Sequence, residues 1–370
     1  MRTKELIIEA QKAFEEENLK LAQTKIGHAL LLDDKNLDAL IIQFLIYIEK
    51  SDLAKAETIL EEIIENEDYD IDLLIYKAVI LNDTGKIEEA IKLCELIIEK
   101  DHTNYTAYSF KGMFNHNLGN VEEAYKDLNF AVENDTKNFI VYQNRGSVNL
   151  ANYQFDEALI DFNRAIKLDK SSNEAKFNKA ITLRLLGKHK KAIRILEKVN
   201  ADKFLGSEDL VQAAVIYQKN DQNEKAIELV SKAIELDNTF ARAHYTRFNV
   251  NTKISNYEAA KNDLDNALQY DDGSFRDYIL NGYAHLYYKK NELEEAIKRA
   301  NFAITENPEF HWTYLTLAEV YGKQDDDLNF IKNLKVAIEG GIGLKDIDQE
   351  IREKFKRNKE FKVLKKKLKK

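Results

Sequence analysis

The sequence predicts an all-α fold: a solenoid of about ten helix–turn–helix units closed by a C-terminal capping helix. Three observations carry this. Alanine recurs every 34 residues, at Ala22, Ala56, Ala90, Ala124, Ala158, Ala192, Ala226 and Ala260, and again at Ala296 after a two-residue slip. A fixed period of this length marks a stacked repeat. Between these anchors the apolar residues keep helical spacing, as in Ile87, Ala90, Ile91, Cys94 and Ile97, which line one stripe of an amphipathic helix. The chain of 370 residues also holds one proline and 32% charged residues, a composition suited to helices and unlike that of linkers between separate domains.

The pattern places the units at about 3–36, 37–70, 71–104, 105–138, 139–172, 173–206, 207–240 and 241–274, then, after the slip, at 277–310 and 311–344. In most first helices a small residue stands twelve before the anchor: Ala10, Ala78, Gly112, Gly146, Ala180, Ala214, Ala284 and Ala318, with Phe44 and Phe248 departing. Small residues let two helices approach closely, so each unit reads as a tight hairpin. Five residues before the anchor stand Gly85, Gly119, Gly187, Asp221, Ser255, Asn291 and Asp325, where a positive φ would end the first helix. Links such as LDDKN at 32–36, ENDTK at 133–137 and LDKSSN at 168–173 supply Asp, Asn and Ser to cap the next helix. In the tenth unit Phe330 replaces the anchor. Gly340, Gly341 and Gly343 then break the pattern, and Ile347, Ile351 and Phe355 at four-residue steps predict a capping helix over 345–370 with a basic end, KEFKVLKKKLKK. An open solenoid needs such a polar outer cap.

Two stretches resemble the tetratricopeptide repeat (TPR) family. In AYSFKGMFNHNLGNVEEAYKDLNFAVENDTK the family positions are held by Tyr108, Gly112, Gly119, Ala124 and Ala131; in VYQNRGSVNLANYQFDEALIDFNRAIKLD they are held by Tyr142, Gly146, Ala158, Phe162 and Ala165. The family's closing proline survives only as Pro308. The resemblance implies a right-handed superhelix whose first helices face a concave, peptide-binding groove. Carried over position by position, it places Lys4, Glu15, Asp38, Glu49, Asp72, Tyr76 and Asp83 at an acidic end. Phe110, Met113, His116, Gln143, Asn144, Ser147, Phe177, Asn178, Ile181 and Arg184 follow, with amides able to pair with a peptide backbone. Gln212, Arg242, Tyr245, Lys253, Tyr278, Asn281, His285, Tyr288, Trp312, Glu319 and Lys323 complete an aromatic and basic end. Phe110, Tyr76 and Phe177 fit equally well as packing between adjacent first helices. The basic residues with which chaperone-binding members grip a C-terminal carboxylate are replaced here by Ser109, Met113, Gln143 and Ser147, so that specificity is not expected.

Charge is uneven. Residues 1–100 hold 12 Lys and Arg against 23 Asp and Glu, whereas residues 341–370 hold 12 against 5. Such polarity can orient a partner or a second copy of the chain. The rest of the composition excludes several functions. Cys94 is the single cysteine, which precludes an intramolecular disulfide and fits a reducing compartment; its position matches core leucines of other units. The longest apolar run, Leu40 to Ile48, is too short to span a membrane and contains Gln43. The chain starts without a signal-peptide apolar run, so a cytoplasmic location is expected. Seven histidines are scattered without a metal-binding pair, and no glycine-rich phosphate loop occurs. The expectation is therefore a protein without enzymatic activity, cofactor, metal or small-molecule substrate, acting as a scaffold or adaptor that holds a protein or peptide in its groove. The alternative is an assembly or regulatory subunit of an enzyme or nucleic-acid complex, docking by its outer surface or by the basic tail of Arg357, Lys362, Lys365, Lys366, Lys367, Lys369 and Lys370. The acidic remainder of the chain argues against nucleic acid itself, and self-association through the oppositely charged ends is a third reading.

Overall fold

A computed structural model of the chain describes residues 2–16, 18–50, 52–65, 73–199, 206–343 and 346–367. Among these the backbone forms 22 α-helices and no strand, and no helix is long and apolar enough to cross a membrane. Asp72, Lys369 and Lys370 lie outside the described residues. The helices fall into two compact units, Met1–Thr182 and Leu183–Lys370.

The first unit contains α1 (Arg2–Glu15), α2 (Leu19–Leu30), α3 (Leu37–Glu49), α4 (Leu53–Ile64), α5 (Leu73–Asp83), α6 (Ile87–Lys100), α7 (Tyr105–Asn117), α8 (Val121–Asn134), α9 (Phe139–Ala151), α10 (Phe155–Leu168) and most of α11 (Asn173–Leu185). The second contains α12 (His189–Leu196), α13 (Ser207–Gln218), α14 (Asn223–Leu236), α15 (Ala241–Lys253), α16 (Tyr257–Tyr270), α17 (Arg276–Lys289), α18 (Leu293–Glu306), α19 (His311–Lys323), α20 (Asp327–Glu339), α21 (Gln349–Lys354) and α22 (Lys359–Lys367). Consecutive helices pack as hairpins, α1 on α2 through α9 on α10 in the first unit and α13 on α14 through α19 on α20 in the second.

Each anchor alanine, from Ala22 to Ala296, is completely buried at its hairpin contact. The contacts leave no room for more. A Cβ added to Gly112 would stand 2.7 Å from Leu128 Cγ and 2.8 Å from the Ala124 carbonyl oxygen. Phe44 and Phe248, the two large residues at small-residue positions, are also fully buried. Phe248 fits because Gly282 on α17 gives way: a Cβ there would lie 3.3 Å from the Phe248 ring.

The turn residues obey the expected backbone. Gly85, Gly119 and Gly187 have φ of 80°, 84° and 70°, and Asp221, Ser255, Asn291 and Asp325 lie between 61° and 64°. Tyr153 occupies the same turn with φ 61°, a left-handed conformation that costs an L-residue roughly 1–2 kcal/mol and that its sequence does not announce. Links that lack the proline are closed by carboxylates instead. Asp101 Oδ1 accepts the Thr103 N–H at 2.9 Å and its hydroxyl at 2.7 Å, and Asp237 does the same with Thr239 at 2.9 and 2.7 Å. Asx turns of this kind substitute for a fixed proline φ.

A polar lock recurs inside the hairpins. Arg145 donates from Nε and an η nitrogen to Asp161 at 2.9 and 2.7 Å, Asn149 adds a third bond at 3.0 Å, and the other η nitrogen reaches Asn129 on α8 at 3.0 Å. Arg247, Asn251 and Asp263 repeat the arrangement 102 residues later, with bonds of 2.9, 2.8 and 2.7 Å and a further contact to Ser231 at 3.3 Å. Lys111 stands at the equivalent place one period before Arg145, 3.4 Å from Asp127 and 3.8 Å from Glu95. Asp161 and Asp263 are buried, so these pairs satisfy carboxylates that water does not reach.

The C-terminal cap differs from a single helix. After α21 the chain passes through a 3-10 turn, Phe355–Arg357, and restarts as α22. Asn358 is the cause: its Oδ1 accepts the Glu360 and Phe361 N–H groups at 3.0 and 3.1 Å, and its amide donates to Asp327 at 3.0 Å. Ile351, Phe355, Phe361 and Leu364 are buried against Phe330, Ile331 and Leu334.

Candidate protein-binding surface

In the first unit, successive first helices leave an open cleft of about 600 Å³. Ile48 of α3 and Leu53 of α4 form one end. Tyr76, Val79, Ile80 and Asp83 of α5, Phe110 and Met113 of α7, and Ile140, Gln143 and Asn144 of α9 line its length, and Glu174 of α11 closes the other end. The helical spacing of these residues turns them to the same side. Tyr76 is exposed and meets the Phe44 ring edge-on at 5.5 Å, so part of its face is available to another molecule. Phe110 and Met113 are half-buried, packed beside Phe114 and Cys94. Cys94 itself is fully buried, and burial pushes its thiol up to about 12, which makes it an inert core residue.

The amides expected to bind a peptide backbone are engaged within the chain. Asn144 is buried and donates to Ser109 Oγ at 3.0 Å. Gln143, also buried, donates to Glu174 at 2.7 Å and accepts from Ser172 at 2.8 Å. Asn178 is half-buried and donates to Ser147 at 3.4 Å. These bonds tie one first helix to the next, because adjacent helices bring complementary groups within reach before any ligand arrives. Phe177 is buried as well, which assigns it to packing.

In the second unit several of the expected residues form two groups. Tyr245 and Tyr278 belong to a run of rings in which Tyr245 meets Phe275 at 5.1 Å, Phe275 stacks on Tyr278 at 4.7 Å, and Tyr278 meets Phe310 at 4.8 Å. Tyr278 and Trp312 are exposed. Phe275 and Phe310 were not expected here; each stands just before a first helix, and Phe240, Phe275 and Phe310 recur at 35-residue spacing. The other group is polar. Arg184 donates to Gln212 at 3.2 Å, Gln212 donates to Glu208 at 2.9 Å, and Arg242 donates to Glu208 at 2.5 Å.

The family model described as "Psidin, N-terminal TPR repeats region" matches residues 148–264. Among solved structures the chain is similar to the APC/C hetero-tetramer Cut9–Hcn1, with a TM-score of 0.60 and 18% identity over 94% of this chain and 74% of that one. The fold is that of a tetratricopeptide-repeat array. It is also similar to the human IFIT1 dimer with m7Gppp-AAAA, with a TM-score of 0.51 and 15% identity over 90% of this chain and 89% of that one. No curated protein matches the sequence. At these identities the likeness concerns the TPR fold alone.

At the C-terminal end of the TPR array a further set of expected residues, His285, Tyr288, Glu319 and Lys323, gathers near Lys289 and Asp348. Tyr288 is buried, with Lys289 and Lys323 ammonium groups 5.0 and 5.1 Å from its ring centroid, and burial raises its phenol above the ordinary range. Lys289 pairs with Asp348 at 2.9 Å, and the Asp348 N–H donates to Glu319 at 2.6 Å. Burial pushes the Glu319 carboxyl up to about 7 and the His285 imidazole down to about 4; the Lys289 charge adds to the histidine shift. Asn281 Oδ1 is buried without a hydrogen-bond partner among the described residues.

These two groups oppose each other in pH. Between an unfolded value of 4.5 and a folded value of about 7, Glu319 holds its proton only in the folded chain, so its contribution to stability falls as pH rises through that window. Between about 4 and 6.5, His285 takes up a proton only when unfolded, so its contribution rises with pH. Relative to the parent, Glu319→Gln should therefore gain stability as pH rises from 4.5 to 7, by on the order of 2 kcal/mol. His285→Asn should lose relative stability as pH rises from 4 to 6.5. Urea midpoints followed through pH would show the opposite slopes; parallel curves for parent and variants would refute the assignment.

Proposed function

We propose that the chain is a protein-interaction scaffold that holds a segment of a protein partner in the cleft of its first unit. The observation that supports this reading is the cleft itself, with apolar walls from Tyr76, Phe110, Met113 and Ile140 beside the carboxylate of Asp83. Aromatic and long apolar side chains in a concave site are the usual anchors of recognition. The buried amides keep the first helices in place, so the contacts left to a partner are made by side chains on the cleft wall. A segment with apolar residues flanked by lysine or arginine fits best, since residues 1–100 carry an excess of acidic groups. The reading assigns no reaction to the chain. Among the described residues no cluster of His, Cys, Asp or Glu is arranged to hold a metal ion.

The test is to select peptides from a random displayed library against the full chain and measure their binding by fluorescence anisotropy. Apolar peptides with basic flanks should emerge, and Phe110→Glu should weaken them at least tenfold while circular dichroism stays unchanged. Peptides that bind the folded variant as tightly as the parent would move recognition away from this cleft.

A further inference from the structure

A second recognition element stands on α11, α13 and α15. Arg184 in the last turn of α11 is half-buried. Among the described residues its guanidinium has one hydrogen bond, an η nitrogen donating to the neutral Gln212 oxygen at 3.2 Å, and its Nε is buried without a partner there. Among the described residues no carboxylate pairs with it. Burial, and then the like charge of Arg242, disfavour its cationic form. A guanidinium does not surrender its proton in a protein, so the charge stays and its donors remain unused.

The neighbours explain why the chain does not neutralise it. The single carboxylate of the group, Glu208, accepts from Arg242 at 2.5 Å and from Gln212 at 2.9 Å. That second bond turns the Gln212 amide so that its oxygen, rather than its NH₂ group, faces Arg184. Glu208 is therefore taken up by Arg242 and Gln212, and the uncompensated positive charge is the enclosed one. Asp209, one residue on, bonds back to the Gly206 N–H at 3.4 Å and does not reach Arg184. A buried, unpaired donor fork is costly within one chain and strong toward an incoming carboxylate.

We propose that Arg184, positioned by Gln212 and supported by Arg242, binds a glutamate or aspartate side chain of a protein partner. The proposal shares the scaffold reading but rests on residues of the second unit and on charge rather than on the apolar cleft.

The experiment uses the full chain with ¹⁵N-labelled arginine and a fluorescein-labelled hexapeptide of alternating Glu and Leu as the probe, with the Gln–Leu hexapeptide beside it. The Glu–Leu probe should bind in anisotropy and shift the Arg184 Nε–H resonance to saturation, whereas the Gln–Leu peptide should do neither. Arg184→Gln should weaken the probe at least tenfold; Arg184→Lys, which keeps the charge but loses the planar fork, should weaken it less. Circular dichroism of both variants separates lost binding from lost fold. The proposal is overturned if the probe leaves the Arg184 Nε–H resonance unmoved, if the Gln–Leu peptide binds equally well, or if folded Arg184→Gln retains full affinity. A peptide held in the first unit's cleft would leave that resonance unmoved, so the two readings fail separately.

Discussion

Replacing Arg247 with methionine should lower the stability of the second unit by about 3 kcal/mol. Asp263 is 1% exposed and depends on two bonds from Arg247 and one from Asn251. Methionine fills the aliphatic part of the arginine side chain but leaves a buried carboxylate with one amide donor. The loss falls at the lower end of the range for broken buried pairs because the Arg247 side chain is 23% exposed, which lets water take part. Trp312, the chain's single tryptophan, lies in the same unit and reports its unfolding in urea. The double variant Arg247→Met/Asp263→Leu removes both charges and should recover most of the loss, short of the bond that Asn251 can no longer make. Arg145→Met should act in the same direction on the first unit, where Asp161 has the same partners. An unchanged tryptophan midpoint in Arg247→Met would mean that solvent, and not the arginine, satisfies Asp263.

This lock shows where the sequence is readable and where it is not. Arg145, Asn149 and Asp161 recur as Arg247, Asn251 and Asp263 at three times the 34-residue period, so the signal is there. It is missed when charged residues are taken to face solvent by default. The anchor alanines and the glycine turns were legible because each obeys a local rule: a small residue at a crossing, or a positive φ that glycine adopts without strain. Tyr153 breaks the second rule, and only the hairpin that surrounds it reveals its turn. For the expected surface residues, spacing gives a helix face and not availability. Spacing puts Gln143, Asn144, Phe177 and Tyr288 on the inner side of their helices, yet whether a neighbouring helix consumes them depends on the side chains opposite, such as Ser109 and Glu174. Arg184 is the converse case: its spacing is ordinary, and what distinguishes it is a carboxylate that its neighbours use up.

Phe330→Ala would restore the repeat's anchor residue, and on sequence alone it should be harmless. The structure predicts the opposite, a loss of about 3–5 kcal/mol, as expected for removing a fully buried phenylalanine. Phe330 is 0% exposed, with its ring centroid 3.8 Å from that of Phe355 and 6.1 Å from that of Phe361. Gly322 makes the room: a Cβ there would approach Ile351, Phe330 and Phe355 at 3.1 to 3.4 Å. In the other hairpins the anchor is alanine. Here Phe330 carries α21 and α22, so alanine would open a cavity between the last hairpin and its cap. The loss should therefore appear first in the cap, as faster amide hydrogen exchange over residues 351–364, with the Trp312 urea midpoint falling as well. If exchange there stayed at the parent level and the midpoint held, a small anchor would be sufficient at this end of the array and the cap would be held by its polar contacts, Lys289 with Asp348 and Asn358 with Asp327. Those contacts are partly exposed to solvent and worth little singly, which is why the aromatic packing at Phe330 is expected to decide whether the cap stays on.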